Sequence, residues 1–521
     1  MIQDTGSNDG AAPRNSRTAA TDALDERFRD TLVANASPPG WRNPRFTGRY
    51  HLVIIGAGPG GLTAAREAAA RGAKVALIER YRIGGDRLNV GCVPSKALIR
   101  TARVYAEMRG AEAYGGQEPR ELDFHFSVAM ARVHRIQARL SQSDSAHRLS
   151  DAGIDVYFGD AEFAGPDSIS VAGQVVRFSK ALIATGARPV IPPIPGLAES
   201  GFDTNDTLFD WRSCPARLMI IGGGPIGCEA AQAFSRFGTH VVIAQNDPTF
   251  LPREEREAAQ LLSDVLVSDG VDIHLNSSVT EVRSEGAVKF VDLTCDGDRS
   301  TVAVDRILVG VGRAPNVESL NLELVGIQCD PIAGIRVNDF LQTTNPDIYA
   351  AGDVCLDHKY THAAVASAQI VVSNSLFSGQ KRLSDLTIPW CTYTDPEIAH
   401  VGLYVQEALQ AGIQVRTFTI LMQDVDRAVT DGEDVGFVKI HIGEGSDRIL
   451  GATVVARHAG EMINGISLAI TAGIGLLDFS RVIHTYPTQA EAIKMAAEAY
   501  RRSRLTPDRL KLLSRRLAKL G

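Results

Sequence analysis

Two copies of one local pattern, far apart in the chain, constrain the fold more than any other feature. The first reads HLVIIGAGPGGLTAAREAAARGAKVALIER from His51; the second reads LMIIGGGPIGCEAAQAFSRFGTHVVIAQND from Leu218. Each runs from an apolar stretch through a glycine-rich turn and a helical pattern to a second apolar stretch, a β-α-β unit. Gly56, Gly58 and Gly61 form G-x-G-x-x-G in the first, and Gly222, Gly224 and Gly227 repeat it in the second. The first glycine permits the tight turn, and the second lets backbone approach a pyrophosphate. The third lets helix and strand pack closely, and the helix N-terminus faces the phosphates. An acid at the end of the second strand is expected to bind a ribose hydroxyl. Glu79 meets that expectation, 18 residues after Gly61, whereas Gln245 stands at the matching place in the second unit. Two such units imply two dinucleotide sites and an α/β fold.

Composition narrows the class. A chain of 521 residues has length for about three or four domains. Hydrophobic residues at 44% and charged residues at 22% are those of a globular protein. The formal charge of −7 gives no basic face for nucleic acid. The seven cysteines include no C-x-x-C pair, which argues against a disulfide framework and a structural zinc site. No metal site is expected. The N-terminal MIQDTGSNDG lacks the basic and apolar regions of a signal peptide. The longest apolar stretch, Ile463 to Leu477, is too short and too interrupted to span a bilayer. A cytoplasmic protein without membrane contact is the expectation.

Residues 1–48 read as a polar extension, partly disordered. Within it Leu24, Phe28 and Leu32 recur at helical spacing, the mark of a short amphipathic helix. Val156–Val176 and Phe178–Ala184 read as β-rich, and the proline-rich run Pro189–Pro195 reads as a hinge. After Pro389 strand-like TYT, GFVKIHI and ILGATVV alternate with helices, as in a separate α+β domain.

A third motif, Gly84-Gly85-Asp86-Arg87-Leu88-Asn89-Val90-Gly91-Cys92-Val93-Pro94-Ser95-Lys96, carries a family resemblance. With ATGARP at 184–189, GVGRAPN at 310–316 and AAGDV at 350–354, the chain resembles the class I pyridine nucleotide-disulfide oxidoreductases. PWCTYTDPEIAHVGL at 389–403 and HTYPTQAEAIK at 484–494 make it most similar to the mercuric reductase-like and dihydrolipoamide dehydrogenase-like branch. The resemblance implies a glutathione reductase-like fold and a homodimer. It implies an FAD-binding domain at 49–190 and 316–385, an NAD(P)-binding domain at 191–315 and a dimerisation domain at 386–521. FAD is then expected on the first fingerprint, with Gly85, Thr185, Gly186, Gly312 and Asp353 among its contacts, and NADH or NADPH on the second. Gln245 offers no acid to select NADH, and no neighbouring arginine selects NADPH. Lys96, paired with Glu229, is expected near the flavin, where a cation stabilises the reduced ring.

The sequence also departs from the family pattern. The family's C-x-x-x-x-C disulfide has Arg87 at its first position, so only Cys92 remains. The missing thiol is the one that attacks disulfide substrates, so dithiol–disulfide exchange is expected to be lost. Arg87 beside Cys92 is expected to favour its thiolate. At the C-terminus Tyr486 takes the place of the family's histidine base, Glu491 keeps the orienting spacing, and His484 stands two residues earlier. The tail SRRLAKLG lacks the cysteine pair that delivers mercuric ion, and Pro225 stands where some relatives place an aromatic lid. The other cysteines read as small buried hydrophobes, and Arg501–Lys519 as a solvated basic helix face. The expected function is FAD-dependent oxidation of NAD(P)H with a non-disulfide acceptor: oxygen, a quinone, a metal ion, or a relay through Cys92. The alternatives are mercuric or dihydrolipoamide reduction, and a non-catalytic flavoprotein acting as sensor or interaction subunit.

Overall fold

The computed structural model describes residues 14–45, 48–117, 124–505, 507–518 and 520. The first unit forms a sheet in the order Ile154–Phe158, Val75–Glu79, Arg49–Ile55 and Gln174–Ile183, all parallel. Ile348–Ala350 returns from much later in the chain to pair, also parallel, with the far edge of Gln174–Ile183. Ser168–Val171 and Ala161–Gly165 extend the same sheet antiparallel. The central strands are near-continuous Val, Ile and Leu because helices and loops cover both faces. The second unit repeats the design with parallel strands in the order Val271–His274, His240–Ala244, Arg217–Ile221 and Arg306–Val309.

The expected hinge is a two-stranded ribbon at its start. Ala187–Pro189 pairs antiparallel with Arg313–Pro315, so the chain enters and leaves the second unit side by side. The two units also share a core. The helices Cys92–Arg109 and Phe126–Ser141 of the first pack on the helix Pro225–Arg236 of the second. Phe124 stacks on Phe237 at 4.2 Å, and Phe126, Phe234 and Trp211 continue the cluster. Each buried aromatic contributes about 2–3 kcal/mol of transfer free energy, which makes this a fixed junction.

The C-terminal part is a five-stranded antiparallel sheet in the order Trp390–Thr392, Glu397–Gly402, Ile449–Ala456, Phe437–Gly443, Val415–Leu421. Helices Ala459–Ala472 and Glu491–Ser503 cover it. No helix among the described residues is long and apolar enough to cross a membrane.

Residues Arg14–Ala36 form one helix, longer than expected. Leu32 and Ala36 are buried, but Leu24 is 48% exposed. Eight residues turn a helix about 80° past two full turns, enough to carry Leu24 off the face that holds Leu32. Asp25 takes the buried place instead and pairs with His134 Nδ1, while His134 Nε2 donates to the Phe209 carbonyl at 3.0 Å. Arg29 bridges Asp25 at 3.0 Å and Asp210 at 2.9 Å. Of the expected polar extension, Arg14–Ala36 is therefore a helix whose Asp25 and Arg29 touch both dinucleotide units, and residues 1–13 lie outside the described residues.

Candidate active site

Both fingerprints are built by local necessity. Gly56 adopts φ +105°, and a Cβ there would stand 2.3 Å from the Ala184 carbonyl oxygen. A Cβ on Gly61 would stand 1.8 Å from the Gly56 carbonyl oxygen, so helix and turn approach as only glycine allows. Gly222 and Gly227 repeat this against Gly310 and Gly222, at 2.6 and 2.1 Å. Gly85 faces Gly58 so closely that its Cβ would be 2.7 Å from the Gly58 Cα.

One cleft of about 3200 Å³ collects nearly all the expected residues. Gly56, Gly58, Glu79, Gly85, Thr185, Gly186 and Asp353 line it from the first unit, with Gly312 at the ribbon. Gly222, Gly224 and Gln245 line it from the second. Gly61 and Gly227 lie behind the wall, as packing glycines should. Glu79 accepts from the Ala57 and Tyr81 N–H groups, each at 2.8 Å, and burial pushes its carboxyl above the usual range. Thr185 Oγ1 donates to the Asn316 carbonyl at 2.7 Å, fixing the turn that holds Gly186 at φ +72°. Burial likewise raises the Asp353 carboxyl.

Cys92, Lys96 and Glu229 all line this cleft. Lys96 Nζ donates to both Glu229 oxygens at 3.0 and 2.8 Å and lies 4.5 Å from the centre of the Tyr393 ring. The Tyr393 N–H also donates to Glu229, at 2.9 Å. Burial works against the ammonium charge, yet Glu229 and then Cys92 hold the Lys96 pKa above its ordinary value. Cys92 is the exposed first residue of its helix, and its Sγ lies 3.5 Å from Thr361 Oγ1.

Several expectations change. Arg87 does not attend Cys92: its guanidinium pairs with the buried carboxylate of Asp144, which also takes Arg66 at 2.8 Å. A cation neutralised by a buried partner is a weak source of thiolate stabilisation. Cys391, read as a buried hydrophobe, lines the cleft. Burial holds its thiol well above the usual range, and Sγ donates to the Thr392 carbonyl at 3.6 Å.

Tyr486, Glu491 and His484 are absent from the cleft wall. Tyr486 is 65% exposed and donates to Asp426 at 2.7 Å, not to Glu491; this hydrogen bond raises its pKa. His484 is exposed and meets the Val482 carbonyl at 3.2 Å. Within one chain these three residues form no catalytic group with Cys92. Among the described residues no set of three His, Cys, Asp or Glu side chains is arranged to hold a metal.

Sequence reasoning missed a wall of aromatic rings. His358 and Tyr360 come from the loop after Asp353 and His362 from the first turn of the helix Thr361–Leu376, while Trp390 comes from the C-terminal sheet and Tyr404 caps the helix Val405–Gln410; all five line the cleft. A chain with 6% aromatic residues gives no warning of such a cluster, because its members lie in three separate segments.

Residues 50–369 match the pyridine nucleotide-disulphide oxidoreductase family, and 388–497 match that family's dimerisation domain. The chain belongs to this family. It is 31% identical over 448 residues to a mercuric reductase of Lysinibacillus sphaericus, covering 86% of this chain and 82% of that protein. It is 34% identical over 454 residues to a dihydrolipoyl dehydrogenase of Thermus scotoductus, covering 86% and 97%. Among solved structures, the Cu(II) complex of the HOCl-induced flavoprotein disulfide reductase RclA from Escherichia coli superimposes with a TM-score of 0.78 at 30% identity. That match covers 87% of this chain and all of the other. LpdA from Mycobacterium tuberculosis gives a TM-score of 0.79 at 28% identity, covering 86% and 99%.

The family uses FAD and NAD(P)H, and the residues present fit both. The glycine turns that no Cβ could enter, the N–H-bonded Glu79 and the half-buried Asp353 suit FAD in the first unit. The second unit, with Gln245 in place of the acid, suits the nicotinamide cofactor.

Proposed function

We propose that the protein is an FAD-dependent NAD(P)H oxidoreductase whose electrons leave to a non-disulfide acceptor: oxygen, a quinone, a metal ion, or a relay through Cys92. The observation that carries this reading is Arg87. It stands where the family's attacking thiol is expected, and its ion pair with buried Asp144 makes it part of the packed structure. Disulfide exchange needs an accessible thiolate at that step. Cys391, its thiol kept protonated by burial, is a poor substitute.

Bound FAD supplies the two-electron relay between nicotinamide and acceptor. Lys96, fixed by Glu229, would supply a positive charge that stabilises the reduced flavin. Thr361 Oγ1 lies 3.5 Å from the Cys92 Sγ. A metal-ion acceptor draws support from the Cu(II) complexes of RclA and of a cysteine-to-serine variant of it, both similar in fold to this chain. The dimerisation-domain match, with Val482 at 55% and Ile483 at 96% exposure beside Tyr486, supports a homodimer.

The test is an anaerobic titration with NADH and then NADPH while flavin absorbance is followed. One equivalent of one cofactor should bleach the flavin completely, as expected for a single redox centre. A need for two equivalents would reveal a second redox centre, leaving the Cys92 relay as the non-disulfide route and ending direct transfer from a flavin that acts alone. Failure of both cofactors to bleach it would favour a sensor or scaffold role. Arg87→Cys should gain thiol–disulfide activity that the native protein lacks.

A further inference from the structure

We propose that the helix Pro507–Leu517 docks this protein on the surface of an anionic phospholipid bilayer. The helix lies beyond residue 497, where the match to the dimerisation domain ends. Its sequence, PDRLKLLSRRL, sets Leu510, Leu513 and Leu517 at i, i+3 and i+7, and Leu520 follows at i+10. At about 100° per residue the three helical leucines fall within an arc of about 60°. By the same spacing Lys511 and Arg515 stand on the opposite side and Arg516 on the flank. Arg501–Lys519 reads from sequence as a solvated basic helix face. The structure divides that stretch between two helices, Glu491–Ser503 and Pro507–Leu517, and gives the second an apolar stripe of its own.

The protein does not cover this stripe. Leu510 is 48% exposed, Leu513 44% and Leu517 68%, and Leu520 beyond them 85%. None of the four belongs to a buried apolar cluster among the described residues. An eleven-residue helix is marginal in water by itself, and burial of an amphipathic face is what stabilises such a helix.

Charge decides what fits the stripe. Residues 501–519 hold eight Lys and Arg and one Asp, on a chain whose formal charge is −7. A second copy of the helix would bring eight more cations beside these, and like charges repel. A nucleic acid would engage the cations and leave the leucines in water. An anionic bilayer takes both at once. The leucines enter the boundary between headgroups and acyl chains, while Lys511, Arg515 and Arg516 reach the phosphates on long stems. The expectation of no membrane contact rests on the lack of a spanning stretch, and a helix lying on the surface needs none.

The test uses the FAD-loaded protein, sedimented with vesicles of phosphatidylglycerol mixed with phosphatidylcholine and with vesicles of phosphatidylcholine alone. At low salt the wild type should sediment with the anionic vesicles and bind the neutral ones at least about tenfold more weakly. Arg515→Gln combined with Arg516→Gln should lower anionic binding about tenfold or more. Leu513→Ser combined with Leu517→Ser should lower it about as far with the charge unchanged. Removal of residues 506–521 should abolish it. Bound flavin should be the same in every variant, showing an intact fold. The proposal is wrong if the wild type stays in solution beside anionic vesicles at low salt. It is equally wrong if the truncated chain still sediments, or if the leucine variant binds as the wild type does, since charge alone would then suffice. Tighter binding of the wild type to duplex DNA than to anionic vesicles would overturn it in favour of a nucleic acid. Loss of dimer mass on truncation, with no vesicle binding by the wild type, would overturn it in favour of an interface between copies. Should the truncated chain fail to fold, the two pairs of surface substitutions still decide the question.

Discussion

In the first dinucleotide unit Glu79 Oε2 accepts the N–H of Ala57 at 2.8 Å; in the second, Gln245 Oε1 accepts the N–H of Gly223 at the same distance. The two side chains close the same turn, and a carboxylate and an amide oxygen serve that purpose equally. The turn therefore does not need the charge. What differs is electrostatic: the first unit closes its turn with an acid, and the second with a neutral amide. Two units with one backbone design thus separate the part of a fingerprint that builds the fold, the turn and its closing oxygen, from the charge that the closing side chain carries.

The largest effect should come from breaking the shared device in one unit at a time. Gly56→Val and Gly222→Val would each force a side chain into a carbonyl that already lies 2.3 or 2.6 Å from the Cβ position. Strain of roughly 3 kcal/mol or more corresponds to a hundredfold loss of binding. Gly56→Val should purify without flavin colour. Gly222→Val should keep the colour but no longer bleach with NAD(P)H. If both lose flavin alike, the units do not act as separate sites.

A smaller effect should follow from exchanging the side chains that differ. Gln245→Glu should shift the ratio of kcat/KM for NADH over NADPH about tenfold towards NADH, near 1.4 kcal/mol. An unchanged ratio would show that position 245 does not meet the ribose.

The smallest is a pH effect confined to the first unit. Burial raises the Glu79 carboxyl above its ordinary 4.5, so folded apoprotein binds a proton that the unfolded chain has lost. Its contribution is present below pH 4.5 and is lost as pH rises through the raised folded value. Thermal midpoints of apoprotein across that window should fall less in Glu79→Gln, whereas Gln245→Ala should keep the wild-type slope.

Much of the fold was legible because its signals are local. Glycine spacing, apolar runs and the acid at position 79 fix each β-α-β unit through sterics and hydrogen bonds within about thirty residues. The pairing of Lys96 with Glu229 came from family resemblance, and the structure closes it at 2.8 Å. Other features were not legible. Leu24 fitted a helical period but missed the buried face, because spacing gives a face only to within a fraction of a turn and packing on Phe126–Ser141 decides the rest. Arg87 read as a neighbour of Cys92 by sequence distance, yet a buried carboxylate 57 residues away claims it. Tyr486 was expected beside Glu491, and Asp426 takes its hydroxyl.

The sequence by itself determined two glycine-rich turns, the side chains at positions 79 and 245 that close them, the cysteine count and the family, since each depends on residues adjacent along the chain. Only the tertiary structure decided which charges neutralise one another and that Cys391 reaches the cleft. It also placed His358, Tyr360, Trp390 and Tyr404 on one wall. Such meetings depend on how segments far apart in the chain pack together, and no local pattern encodes that distance.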